Sequence, residues 1–272
     1  LSRELEQPVL LRTTTRLNHL RGPVEFGEAR QPQKVPTPAK NFRRFVPIPA
    51  VARARHPVLL ENLEKARSMA GTSPWNPVSG DGEVGIVASG ISRAYVHDVL
   101  EAGGRREKTR YLELGFSYPL PEKACLDLLK TCSTVLVVEE GEPVVENELR
   151  TLAQREGLST TILGKGTGGL TRLGEYETNL VRGAVDLALG ETPAEPDNCQ
   201  APEGLPLRPP NLCAGCPHRA AYYAVRQVFG DEARYSSDIG CYTLGLLPPL
   251  SAADFLLCMG SSVSAGSGFS LA

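Results

Sequence analysis

This chain should fold as α/β, with doubly wound parallel sheets, and three features of its sequence say so. Apolar runs at residues 84–90, 109–114 and 134–140 are continuous rather than alternating, as strands covered on both faces are. Segments with helical spacing separate them, at 91–102, 121–130 and 143–156. Each junction carries Gly or Pro, such as Gly90, Gly103-Gly104, Pro121 and Pro143, where one element must stop and the next begin.

The elements follow in order. Residues 1–6 read as a helix already under way, and residues 8–15 (PVLLRTTT) as a strand, being apolar and then β-branched. Residues 30–49 are dense in proline and lack periodicity, so they form a linker. Helical spacing resumes at 51–69, with Val58, Leu59, Leu63 and Ala66 on one face, until the Pro- and Gly-bearing stretch 70–81 ends it. The strand–helix alternation then runs to a closing helix at 178–189. Residues 192–210 form a second proline-dense linker. Beyond it lie a helix at 217–228, strands at 234–237 and 253–259, and a Gly/Ser/Ala-rich turn at Gly260 that leads into a helix.

The balance of the composition narrows the function. A net charge of −2 gives no electrostatic reason to expect nucleic acid or an anionic membrane surface. No run of about 18 apolar residues could span a bilayer, and no leader-like opening supports secretion. Seven cysteines, an odd number, are too sparse for a secreted disulfide framework and fit a reducing cytoplasm. Leu1 stands inside a helix and residues 261–272 stop without a cap, so an internal fragment of a longer polypeptide is expected.

Several motifs invite a chemical reading. Residues 87–92 make a strand–Gly–helix junction that lacks G-x-G-x-x-G spacing, so a structural turn is favoured. Residues 164–169 (GKGTGG) do not match a phosphate loop. Glu139 and Glu140 end a strand where α/β folds place functional groups, but adjacent carboxylates face opposite ways, which leaves subunit contact or solvation. His218 starts a helix, where it could touch an anion or serve as a surface or capping residue. His19, His56 and His97 show no pattern. Cys213 and Cys216 stand in C-x2-C spacing, and Cys241 follows a Gly in a turn. Such thiols close on a soft metal or cluster, or sit reduced beside a cofactor. The glycines at 240, 260, 266 and 268 permit close backbone approach by a ligand or by a packed helix.

The strings LCAGCPHR (212–219), SDIGCYTLG (237–245), PPL (248–250) and CMGSS (258–262) together resemble the large (alpha) subunits of indolepyruvate ferredoxin oxidoreductases. These belong to the thiamine-diphosphate-dependent 2-oxoacid:ferredoxin oxidoreductases. PVLLR (8–12), GIS (90–92), PLP (119–121) and VEE (138–140) agree with that likeness. The resemblance implies the tail of a thiamine pyrimidine-binding domain at 1–31, a linker and helix at 32–82, and a transketolase C-terminal-like module at 83–190. A proline-rich linker would follow at 191–210, then the start of a thiamine-diphosphate-binding domain at 211–272.

It further implies that Asp238, Ile239, Gly240, Cys241 and Tyr242, with Gly260 and Ser261, contact the coenzyme, and that Cys213, Cys216 and Cys241 are candidate [4Fe–4S] ligands. Cys125, Cys132 and Cys199 match nothing there and read as ordinary thiols. The implied activity is oxidative decarboxylation of an aryl 2-oxoacid, indolepyruvate, to an acyl-CoA, with ferredoxin as electron acceptor and a beta subunit as partner. Neither nucleic acid nor membrane belongs to it. The glutamate that activates the coenzyme is expected before Leu1, and the Mg2+ motif and a ferredoxin-like domain after Ala272, so the chain alone should be inert. A scaffold with zinc-binding cysteines and a thiamine enzyme for another 2-oxoacid are the alternatives.

Overall fold

The computed structural model describes residues 1–28, 40–193, 204–206 and 209–272, without the side chains of Arg16 and His19. Half of the first proline-dense linker and most of the second, together with Cys199, lie outside the described residues. The chain divides into two compact units, Leu1–Asn198 and Cys199–Ala272.

In the first unit, short helices α1 (Ser2–Leu5), α2 (Thr15–His19) and α3 (Phe42–Phe45) precede the long helix α4 (Pro49–Gly71). Then come β1 (Val78–Ser79), β2 (Val84–Ser89), α5 (Ser92–Glu101), a 3-10 turn, β3 (Thr109–Leu114), α6 (Glu122–Thr131), β4 (Thr134–Val138), α7 (Val144–Arg155), β5 (Thr161–Leu163) and α8 (Thr178–Ala188). The sheet order is β1-β3-β2-β4-β5. All its pairings are parallel except that of β1, which runs antiparallel to β3.

Both faces of the sheet are covered, which is why the strands are apolar throughout. Val87, Leu112, Val135 and Val137 pack with Cys125, Leu128 and Leu129 of α6 and Val145, Leu149 and Leu152 of α7. The alternate residues Ile86, Ala88, Tyr111, Leu136 and Val138 pack with Val96, Val99 and Leu100 of α5 and Val181, Ala184 and Val185 of α8. Each of α5 to α8 contributes the i, i+3, i+4 stripe that its spacing announces. Each fully buried Leu or Val contributes about 1.5–3 kcal/mol relative to exposure.

Two expectations fail in this unit, and one strand was not expected. Residues 8–14 join no ladder, and Leu10 and Leu11 stand 96% and 89% exposed. Thr14 instead caps α2, its Oγ1 accepting from the Leu17 amide at 3.3 Å. Helix α4 runs straight through Pro57, and of its expected apolar face only Ala66 is buried, while Val58 and Leu59 lie exposed. Strand β1 gave no sequence signal, because two residues carry no period.

The second unit contains α9 (Pro217–Phe229), β6 (Ser236–Ser237), a 3-10 turn (Cys241–Leu246), β7 (Phe255–Leu256) and α10 (Ser261–Leu271). Strands β6 and β7 pair in parallel, Ser236 with Phe255 and Ser237 with Leu256. The core here is thin, with Tyr222, Tyr235 and Ala252 at its centre. A Cβ on Gly245 would stand about 2.5 Å from the Tyr222 ring, so the 3-10 turn rests directly on that tyrosine. Among the described residues of the whole chain, no helix is long and apolar enough to cross a membrane.

Candidate cofactor site

Parallel pairing has a geometric consequence for the second unit. Residues that follow β6 and β7 leave the sheet at the same carboxyl edge, the edge where α/β folds bind ligands. The bend at Asp238–Gly240 and the bend at Cys258–Gly260, far apart in sequence, are thereby brought together. Asp238 joins them: its carboxylate accepts from the Ser262 amide at 2.9 Å and from the Ser262 hydroxyl at 2.6 Å. These bonds, the hydroxyl's first, hold the Asp238 carboxyl below the usual carboxylate range.

Both bends depend on glycine. Gly240 has φ 123° and Gly260 φ 82°, and a Cβ on either would meet nothing within 4 Å. The backbone is therefore turned outward against open space. Thr243 braces the first bend, donating to the Asp238 carbonyl at 3.0 Å and accepting from the Gly240 amide at 3.2 Å. Ser261 braces the second, its hydroxyl donating to the Cys258 carbonyl at 2.7 Å. Ile239, Cys241 and Tyr242 lie exposed along the edge. Tyr222 supports them from beneath, its hydroxyl donating to the Tyr242 carbonyl at 2.7 Å. Sequence reasoning missed Ser262, Thr243 and Tyr222; the Ser-Ser pair opening a helix was the available signal for the first.

The cysteines divide. Cys213 and Cys241 are exposed, while Cys216 is partly buried with its Sγ 3.2 Å from His218 Nδ1. Among the described residues no three His, Cys, Asp or Glu side chains come together to hold a metal ion. Cys213, Cys216 and Cys241 form no such group among the described residues. Cys125 and Cys132 are buried in the first unit, and burial pushes the Cys125 thiol up to about 12, out of reach of ordinary thiol chemistry. An apolar hollow of about 350 Å³, bordered by Leu212, Tyr223, Leu244, Leu247, Pro248 and Leu250, involves none of the residues expected to contact the coenzyme or a cluster.

Comparison with known proteins finds relatives that match the whole of this chain. The chain is 43% identical over 281 residues to indolepyruvate oxidoreductase subunit IorA of Methanothermobacter thermautotrophicus, a match covering all of this chain and 45% of that protein. Identity is 41% to the Thermococcus kodakarensis subunit of that name and 37% to that of Archaeoglobus fulgidus, with 44% of each covered. The chain is homologous to the IorA subunits over its whole length. It spans about 45% of the length of these relatives. No family model matches it.

In the first unit, Glu139, Glu140 and Lys165 all have partners within the protein. Glu139 is only 5% exposed, which corrects the expectation of a solvated or contact role. Its carboxylate accepts from the amides of Val145 and Glu146, at 3.0 and 2.9 Å, and so caps α7. Burial raises its pKa more than these bonds lower it. Glu140 accepts from the Tyr176 amide. In the glycine-rich loop, Lys165 donates to the carbonyls of Glu139 and Thr171 and to the Tyr176 hydroxyl, so its ammonium is already satisfied by the protein.

Proposed function

We propose that this chain forms part of an oxidoreductase that decarboxylates an aryl 2-oxoacid, indolepyruvate first, and conserves the product as an acyl-CoA. A beta subunit would complete the enzyme, and ferredoxin would take the electrons through [4Fe–4S] clusters held mostly by other parts of it, with Cys213, Cys216 and Cys241 as this chain's candidate ligands. Homology to the IorA subunits supports the reaction class. The observation that carries the site is the pair of glycine bends, open to solvent and joined through Asp238.

In this reading the second unit begins a thiamine-diphosphate-binding domain, and the sheet of the first is the transketolase C-terminal-like module. A bound thiamine diphosphate supplies nucleophilic addition to a keto carbon and storage of the electrons that carbon dioxide leaves behind. The chain's own contribution is binding and orientation. Gly240 and Gly260 let backbone approach the coenzyme, with Cys241 and Tyr242 along its flank. Helix α10 opens at Ser261, and a helix start favours an anion such as the diphosphate, although the Ser261 and Ser262 amides themselves are engaged by the Cys258 carbonyl and the Asp238 carboxylate. Asp238 already engages Ser262, and so sets where that helix end points. Mg2+ enters as the counter-ion of the diphosphate.

The test is made on the enzyme assembled with its beta subunit. Viologen reduction should require indolepyruvate, CoA and thiamine diphosphate together. Replacing Gly260 by Val places a branched side chain at φ 82°. That strain, about 1–3 kcal/mol, should weaken thiamine diphosphate binding roughly 5- to 100-fold by calorimetry. Unchanged affinity and turnover in Gly260→Val and Gly240→Val would remove the bends from the site.

A further inference from the structure

We infer that the amino-terminal half of α4, with the short helix α3 ahead of it, is a surface through which two copies of this chain associate. Helix α4 is covered along only part of its length. In its second half Ala66 and Ala70 are buried, Arg67 pairs with Glu122 of α6, and Asn62 Nδ2 donates to the Leu5 carbonyl of α1 at 3.0 Å. Leu59, Leu63, Ala66 and Ala70 form one stripe, at i, i+4, i+7 and i+11. The stripe outruns its cover, since Leu59 is 48% exposed. The uncovered stretch, residues 49–60, makes about 18 Å of helix.

Apolar side chains crowd this end. Phe42, Phe45, Val46 and Ile48 lead into the helix, and Val58, Leu59 and Leu60 stand on it, all exposed. Monomers rarely leave more than a few hundred Å² of contiguous apolar surface uncovered. Side chains of this size and number supply a large part of the roughly 800 Å² that each partner gives to a stable interface.

Charge names the occupant. Residues 40–60 include Lys40, Arg43, Arg44, Arg53 and Arg55 but no Asp or Glu. Arg44 pairs with Glu6, whereas Lys40, Arg53 and Arg55 make no ion pair among the described residues. The complement lies in the same unit, where residues 61–193 hold 20 acids against 14 bases. A second copy thus offers an acidic body to the basic helix end, and a two-fold axis lets each copy both give and receive. That acidic body repels anionic lipid and nucleic acid. The helix also lacks the two distinct faces that a bilayer surface selects. Arg55 shares a row with Val51 and Leu59, at i−4 and i+4, and Arg53 lies two turns from Leu60 on one side.

The test is made in the full-length polypeptide and read as assembly, so it stands apart from the coenzyme reading. Sedimentation should find a dimer whose dissociation constant rises with salt. In the double variant Arg53→Glu, Arg55→Glu that constant should rise about 100-fold or more. Independently, p-benzoylphenylalanine is placed at position 60, and isotopically heavy and light preparations are mixed in dissociating salt, returned to low salt and irradiated. Mass spectrometry should then find heavy–light pairs joining position 60 to the acidic body, residues 61–193. This arm decides the matter even where the charge variant does not fold. Pairs confined to one isotope would place another part of the same polypeptide on α4, and adducts with a beta subunit would place a different chain there; either overturns the inference. So does a monomer, or a dimer that the charge reversal leaves intact while it abolishes binding to anionic phospholipid vesicles or RNA.

Discussion

Two carboxylates in this chain do the same task in opposite surroundings. Glu139, in the first unit, holds the amino end of α7 from inside the core; Asp238, in the second, holds that of α10 at an open edge. Burial raises the pKa of the first, and hydrogen bonds lower that of the second. The contrast extends to the units themselves. One seals a sheet between two apolar layers, whereas the other rests on a few residues and keeps Leu257, Met259 and Val263 exposed beside its bends. The first unit is built to persist and the second to be approached.

The difference can be broken most sharply in the core. Leu149→Ala, at a fully buried position, should cost about 2–5 kcal/mol in chemical denaturation; a loss under 1 kcal/mol would show that α7 is not sealed as described. Next comes Glu139→Gln, which keeps the shape but cannot serve both amides equally, at about 1 kcal/mol. Because the folded pKa of Glu139 is raised, its contribution is greatest below the ordinary carboxylate range and is lost as pH rises through the raised value. The variant should therefore flatten that part of the stability–pH curve, and an identical slope would refute the assignment. Asp238 has the other sign: its contribution is present above the ordinary range and lost as pH falls through the lowered value. Asp238→Asn should have the smallest effect, seen as faster hydrogen exchange at the Ser261 and Ser262 amides with α7 unchanged.

Much of this was legible in the sequence where one rule governs a whole element. Strands β2, β3 and β4 lie within a residue or two of their expected bounds, because a strand covered on both faces is apolar at every position. Helices α5 to α8 follow for the same reason, each stripe meeting its own layer. The run at residues 8–15 misled because apolar composition alone does not supply a neighbouring strand. Strands β6 and β7 are two residues each, held by the parallel ladder rather than by local preference. At the candidate site glycine marked the bends, but nothing near Asp238 announced its bond to Ser262. That link exists only once the ladder has placed both bends at one edge. The histidine beside Cys216 was visible as a neighbour and invisible as a partner, since two residues of spacing do not reveal which way a ring turns.

The seat of the 3-10 turn on Tyr222 makes Gly245 a gauge of fit. A single added methyl there would act as a wedge between ring and turn. It would lift Tyr242 from its hold on the Tyr222 hydroxyl without touching any residue that faces outward. The bends thus inherit their alignment from a contact hidden beneath them, and the smallest possible change of size would misalign a surface it never reaches.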